Sequence, residues 1–220
     1  MLAFVMAQNT KTRLLDAAER LFGENGLDAT SIRDVTKRAG ANVASVSFHF
    51  GSKEGLIREV FLRRLKPLTE KRLENLGKLQ HAPTPPTADA LLQAFLAPLI
   101  DMSESPARGT QAFLRLFART LVDPAPVIED IFARELGDYT QTYFSAFAKT
   151  ITHISRDELA DRLDFMVGAI GHALSDTARQ RLASRISQTD TSQDGDKRLA
   201  RLTHFALAGL TAPPLEPLAA

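Results

Sequence analysis

Between Thr30 and Lys53 the chain gathers side chains suited to a grooved, charged surface: Asn42, Val43, Ala44, Ser45, Ser47 and Phe48, flanked by Arg33, His49 and Lys53. The polar members can hydrogen-bond base edges, and the apolar ones favour thymine methyls. Lys53, His49, Ser31 and Thr30 offer amino, imidazole, hydroxyl or helix N-terminal donors to phosphate oxygens. Arg33 suits a guanine or a phosphate, or else pairs with a local acid; His49 is either a phosphate donor or a packed histidine. Few of these residues are bidentate base readers, which leaves room for readout of duplex shape.

Two short helices must hold this set. Ser31 is placed to N-cap the first, with Asp34 three residues on as a short-acid capping box, and Ile32, Val35 and Ala39 share one face. Gly40 supplies the turn, and Asn42 can cap a second helix through Val43, Val46 and Phe50. Val46 and Phe50 face inward there, leaving Ser45, Ser47 and Phe48 outward. Gly51 ends that helix and Ser52 caps the next. This is the layout of a helix-turn-helix DNA reader. Upstream, Thr10 to Asn25 reads as an amphipathic brace with Leu14, Leu15, Ala18, Leu21 and Phe22 on one stripe and Gly26 as its end cap. Downstream, Lys53 to about Leu79 reads as one long helix that Pro67 should kink or break near Lys66, at a hinge or at an ordinary bend.

Ser31, Ile32, Asp34, Val35, Ala39, Gly40, the triplet Phe48–His49–Phe50, Ser52, Lys53 and Leu56 together resemble the DNA-binding domain of the tetracycline-repressor (TetR) family of bacterial regulators. The resemblance covers about residues 9 to 60. It implies an all-α protein with an N-terminal three-helix helix-turn-helix DNA-binding domain and a C-terminal helical domain for effector binding and dimerisation. The chain departs from the family where Ser47 replaces a frequent tyrosine, Ala44 a glycine and Ala41 a valine. Around Val46 to Ile57 it is similar to the fatty-acid-responsive branch of the family.

The expected organisation is a reader over 9–55, a connecting helix over 56–80, a proline-rich boundary at His81 to Pro86, and a helical domain over 87–211. Apolar periodicity predicts helices at about Thr87–Ser103, Ala107–Val122, one from Asp123–Pro124 to about Ile151, one opened by Ser155 and Glu158, and a last one at about Lys197–Leu210 after a polar stretch at 189–196. Thirteen phenylalanines in 220 residues, most of them beyond residue 90, make an aromatic-lined pocket for a small hydrophobic effector a possibility beside plain core. Its candidate residues are Phe95, Leu99, Phe113, Phe117, Phe144, Phe147 and Phe165, with Arg115 and Arg119 for a carboxylate or phosphate. Gly168, Ala169, Gly171 and Ala173, with the stripe Leu199, Leu202, Phe205, Ala206 and Leu210, are the candidate homodimer face.

Composition narrows the alternatives. With no cysteine, disulfide frameworks, thiolate nucleophiles and cysteine zinc sites are excluded. His153, His172 and His204 are too scattered for a metal motif, and no phosphate-cradling glycine loop or nucleophile elbow occurs, so no enzyme activity, cofactor or metal is expected. The net charge of +1 conceals an asymmetry: residues 1–80 carry 14 Lys and Arg against 9 Asp and Glu, and the remainder is net negative. A basic N-terminal third fits phosphate contact. The start is too short for a signal peptide, Met6 is an alternative first residue, and no apolar run reaches the roughly 20 residues of a membrane span. The expected partners are an operator duplex, a small hydrophobic effector and a second copy of the chain, with no membrane, in the cytoplasm. The competing reading is a helical DNA-binding protein whose C-terminal half takes a protein partner and no small molecule.

Overall fold

The computed structural model describes residues 2–107, 109–121, 124–174 and 195–214, with side chains from residue 9 in the first helix and from residue 200 in the last. All regular structure among them is helical: α1 (Leu2–Asn25), α2 (Ile32–Ala39), α3 (Val43–Phe50), α4 (Lys53–Gln80), α5 (Ala88–Glu104), α6 (Thr110–Thr120), α7 (Pro126–Glu135), α8 (Gly137–Thr150), α9 (Arg156–Leu174) and α10 (Gly195–Thr211). No described helix is long and apolar enough to cross a membrane, and no cluster of described His, Asp or Glu side chains is arranged to hold a metal ion.

The chain divides into two compact units, Met1–Pro67 with Ser103–Ala133, and Leu68–Met102 with Arg134–Ala220. This cuts across the expected division, because α6 belongs with α1 to α3. Its Phe113, Leu116 and Phe117 are buried in the same unit as Leu14, Ala18 and Phe22 of α1. Phe113 packs edge-on to Phe61 of α4 with ring centroids 5.6 Å apart. Gly23 lets α1 and α6 approach: a Cβ there would lie 2.3 Å from the Ala112 carbonyl oxygen, backbone that cannot swing aside. Replacing a helix-interior glycine by alanine ordinarily stabilises. Here Gly23→Ala is expected to cost about 1–3 kcal/mol, the penalty of overpacking, and a calorimetric Tm that falls rather than rises checks the reversed sign.

Among the described residues, five ion pairs brace the first unit, one of them joining Arg58 of α4 to Asp130 of α7. Arg38 of α2 meets Glu24 of α1 at 3.2 Å. Lys11 and Asp16 of α1 reach Glu59 and Arg63 of α4 at 2.8 and 2.6 Å. The Arg64 guanidinium of α4 holds the Glu19 carboxylate with two hydrogen bonds of 3.1 and 2.7 Å.

Of the kink or break expected at Pro67 no break occurs, and one expected helix is divided in two. Pro67 does not break α4, which runs through it; Leu65 and Leu68 on either side are buried, and that packing holds the turn that lacks one N–H donor. The helix expected from Asp123 to Ile151 is two helices, parted at Leu136 (φ −120°, ψ −1°) just before Gly137. Apolar periodicity continues across this break and so does not signal it. The first of the two starts at Pro126, one residue after the capping carbonyl of Ala125; the Asp123 cap lies outside the described residues. In the second unit Leu91, Leu92, Leu96 and Leu99 of α5 and Phe147 of α8 are buried, and α9 packs on α10. Ser155 caps α9 through Glu158 N–H at 3.1 Å, while the Glu158 carboxylate goes to Arg162.

Candidate nucleic-acid interface

Three capped helix starts fix the candidate reader. The Ser31 hydroxyl accepts the Asp34 N–H at 3.2 Å, and Asp34 Oδ2 accepts from the Ser31 N–H at 3.0 Å and from its hydroxyl at 2.6 Å, a complete capping box. Asn42 Oδ1 accepts the Ala44 N–H at 3.0 Å to open α3, and the Ser52 hydroxyl accepts the Gly55 N–H at 3.1 Å to open α4. Gly40 closes α2 in the left-handed conformation (φ 59°, ψ 43°), which only glycine adopts without cost.

The hydrogen bonds from Ser31 hold the Asp34 carboxyl below its ordinary range. A depressed folded-state value stabilises above the unfolded-state value near 4, and that contribution is lost as pH falls through the folded value. Ser31→Ala is expected to remove about 1 kcal/mol of helix capping. Carboxyl-detected NMR should then show the Asp34 titration moving up toward the ordinary range, part of the shift remaining because the N–H of residue 31 still bonds the carboxylate.

With its start fixed, α3 turns one face out. Val46 is buried; Asn42, Val43, Ala44, Ser47 and Phe48 are exposed, Phe48 to 80%. A ring left so open on a locked two-turn helix is not part of the core. Ser45 and Phe50 are half-buried, with Lys11 Nζ 5.7 Å from the Phe50 ring. His49, half-buried, lies edge-on to Phe48 at 4.9 Å and 6.0 Å from Phe50. Lys53, on the first turn of α4, and Arg33, exposed on α2, make no ion pair among the described residues, which leaves both cations available. Lys37 shares Arg33's face four residues on and is equally exposed and unpaired among the described residues; the i,i+4 spacing was the signal that sequence reading passed over.

Two of the expected phosphate donors are committed elsewhere. Thr30 is buried and donates its hydroxyl to the carbonyls of Gly26 at 2.8 Å and Leu21 at 3.2 Å, tying the α1–α2 turn to α1. It therefore cannot meet a phosphate. Ser31 spends both its N–H and its hydroxyl on Asp34.

The expected effector residues are divided between the two units. Phe113 and Phe117 stack on each other at 5.8 Å in the first unit. Arg115 lines a surface cleft of about 370 Å³ with Arg20, Glu24 and Gln111, and Arg119 is exposed near Gly26. Phe95, Leu99, Phe144, Phe147 and Phe165 belong to the second unit. There Leu99 and Phe147 are fully buried, Phe144 lies under the Arg156 guanidinium at 4.9 Å, and Phe165 is 70% exposed. Phe95 belongs to an aromatic group with Tyr139 and Tyr143 around Arg72. Sequence reading missed Arg72, although it is in phase with Leu65, Leu68 and Leu76 on α4.

Comparison with known proteins agrees with this geometry. Residues 14–60 match the profile of bacterial regulatory proteins of the tetR family, and residues 93–209 that of the tetracyclin repressor-like C-terminal domain. The chain is 42% identical over 64 residues to the HTH-type transcriptional repressor KstR2 of Rhodococcus jostii, a stretch that is 29% of this chain and 31% of that protein's length. It is 25% identical over 166 residues, 75% of this chain and 81% of the relative, to the HTH-type transcriptional regulator BetI of Burkholderia mallei. In fold it is similar to a bacterial regulatory protein in the tetR family from Rhodococcus RHA1, with a TM-score of 0.56, 18% identity, and coverage of 94% of this chain and 98% of that one.

Proposed function

The chain belongs to the tetR family of bacterial regulatory proteins, and on that premise we propose that it is a DNA-binding transcriptional repressor that releases its operator when a small hydrophobic effector binds. The carrying observation is the outward face of α3, apolar and polar by turns on a helix whose start is capped and whose inner residue Val46 is locked in the core. Val43, Ala44, Ser47 and Phe48 read base edges in the major groove, with Asn42 and Ser45 beside them. Lys53, Arg33, Lys37 and His49 hold phosphates. Asp34 and Glu54 stay ionised next to this face, since hydrogen bonds keep both carboxyls below their ordinary range. The cations therefore set the register of approach as well as its strength.

Two copies are needed to read a palindrome, and the α9–α10 pair supports that assembly. Phe165 and Phe205 are 70% and 68% exposed, and a Cβ on Gly168 would meet nothing within 4 Å, leaving room for a neighbouring helix. Phe165 thus serves the homodimer rather than the effector. Effector binding belongs to the aromatic group of the second unit, and differential affinity for two arrangements of the reader heads would couple it to DNA release.

Selection from random duplexes at fixed salt, comparing wild type with a Phe48→Ala, Lys53→Ala double variant, tests the reading. Enrichment of a palindrome that the variant does not bind supports it; equal binding of unselected DNA by both proteins sinks it.

A further inference from the structure

The second unit buries a cation with no anion against it among the described residues. Arg72 of α4 is 6% exposed. Its Nε donates to the Phe95 carbonyl at 2.7 Å and its Nη1 to the Tyr139 hydroxyl at 3.0 Å, and the guanidinium lies 3.9 Å from the Phe95 ring centroid. Tyr143 closes the group by donating its hydroxyl to the Arg72 carbonyl at 2.7 Å. A guanidinium has five N–H donors, and those of Nη2 meet no acceptor among the described residues. Nor is Nη2 sealed, since Thr110 Oγ1 is the described side-chain atom that is both fully buried and without a hydrogen-bond partner.

Neither tyrosine supplies the missing charge. Burial pushes Tyr139 up to about 12, with Arg72 pulling the other way, and burial with Tyr139 beside it raises Tyr143 further. Both remain neutral phenols at physiological pH. Burial also pulls the Arg72 value down. A buried charge without its counterion works against folding, and an apolar side chain of similar volume does the same packing without that penalty.

We propose that Arg72 is the carboxylate-binding group of the effector site, and that the effector is an organic monocarboxylate with an apolar body. This rests on the effector-responsive reading above. The free edge of one guanidinium matches the two oxygens of one carboxylate. The rings of Phe95, Tyr139 and Tyr143, with centroids 5.2 to 6.4 Å apart, offer the apolar body its surroundings. A single guanidinium answers one negative charge, whereas a phosphate dianion would call for a second cation.

The site carries its own reporter, because the chain has no tryptophan and its two tyrosines are Tyr139 and Tyr143. The full chain is titrated with decanoate and 2-naphthoate, each against its neutral alcohol, following tyrosine fluorescence and calorimetric heat. At least one acid is expected to bind tenfold or more tighter than its alcohol. Arg72→Met should abolish that preference with Tm unchanged or raised. Should Arg72→Met fail to fold, Tyr139→Phe decides: release of Nη1 from its phenol strengthens acid binding under the proposal, and leaves it unchanged if Arg72 only ties helices together. Acids and alcohols binding alike, or a preference that survives Arg72→Met, overturns the assignment and leaves the effector reading standing. Failure of every probe to bind, with operator binding unaffected by any of them, counts against both.

Discussion

Glu19→Ala is expected to be the most damaging single substitution in the reader unit, costing about 3–5 kcal/mol, because it removes a buried carboxylate that holds the half-buried Arg64 guanidinium through two hydrogen bonds. Glu19 is 1% exposed and Arg64 17%, and the two are joined by both carboxylate oxygens. The neighbourhood is closed as well: a Cβ on Gly109, which sits at φ 87°, would lie 2.1 Å from Glu19 Oε1. At roughly 2–4 °C per kcal/mol for a chain of this length, Tm should fall by roughly 6–20 °C. The control is the double variant Glu19→Leu, Arg64→Met, which removes both charges and should recover most of the loss, since a buried pair is worth little over a well-packed apolar one. A double variant as unstable as Glu19→Ala would mean that the pair itself, rather than the orphaned charge, carries the stability.

Phe48→Ala is expected to leave the fold alone and cripple the reader. At 80% exposure the ring touches little within the chain, so Tm should stay within the roughly 0.5 kcal/mol typical of surface changes. On operator DNA the ring would bury apolar area in each half-site at about 1–2 kcal/mol. A dimer counts that twice, so affinity should drop about 30- to 1000-fold. Salt separates this from a charge effect. Phe48→Ala should leave the slope of log affinity against log salt unchanged, while Lys53→Ala should flatten it by about 0.9 per half-site. A Phe48→Ala protein that binds its selected site as wild type does would remove α3 from the reading.

Between Ser31 and Ser52 the sequence alone decided nearly everything. Ser31 with Asp34, Asn42 before Ala44, Gly40 in its left-handed turn and Ser52 before Gly55 all act within four residues of themselves, through their own hydroxyl, carboxylate, amide or missing Cβ. Such interactions need no partner from elsewhere in the chain. The outward register of Val43, Ser47 and Phe48 followed as soon as Val46 was read as core, because one buried position on a two-turn helix sets the phase of the others.

Tertiary structure decided what depends on residues far apart in the chain. Periodicity marked Phe113 and Phe117 as buried but could not say against what, and α6 proved to belong with α1 through Gly23, a residue whose meaning exists only once Ala112 lies over it. Thr30 looked like a phosphate donor until Leu21 and Gly26 turned their carbonyls to it. Glu19 and Arg72 read as ordinary charges on amphipathic helices. That one is buried against Arg64, 45 residues away, and the other against Phe95 and Tyr139, 23 and 67 away, is a matter of which helices meet. Local chemistry fixes caps, turns and helix phase; burial of a charge and the partner that answers it are set only when the helices pack.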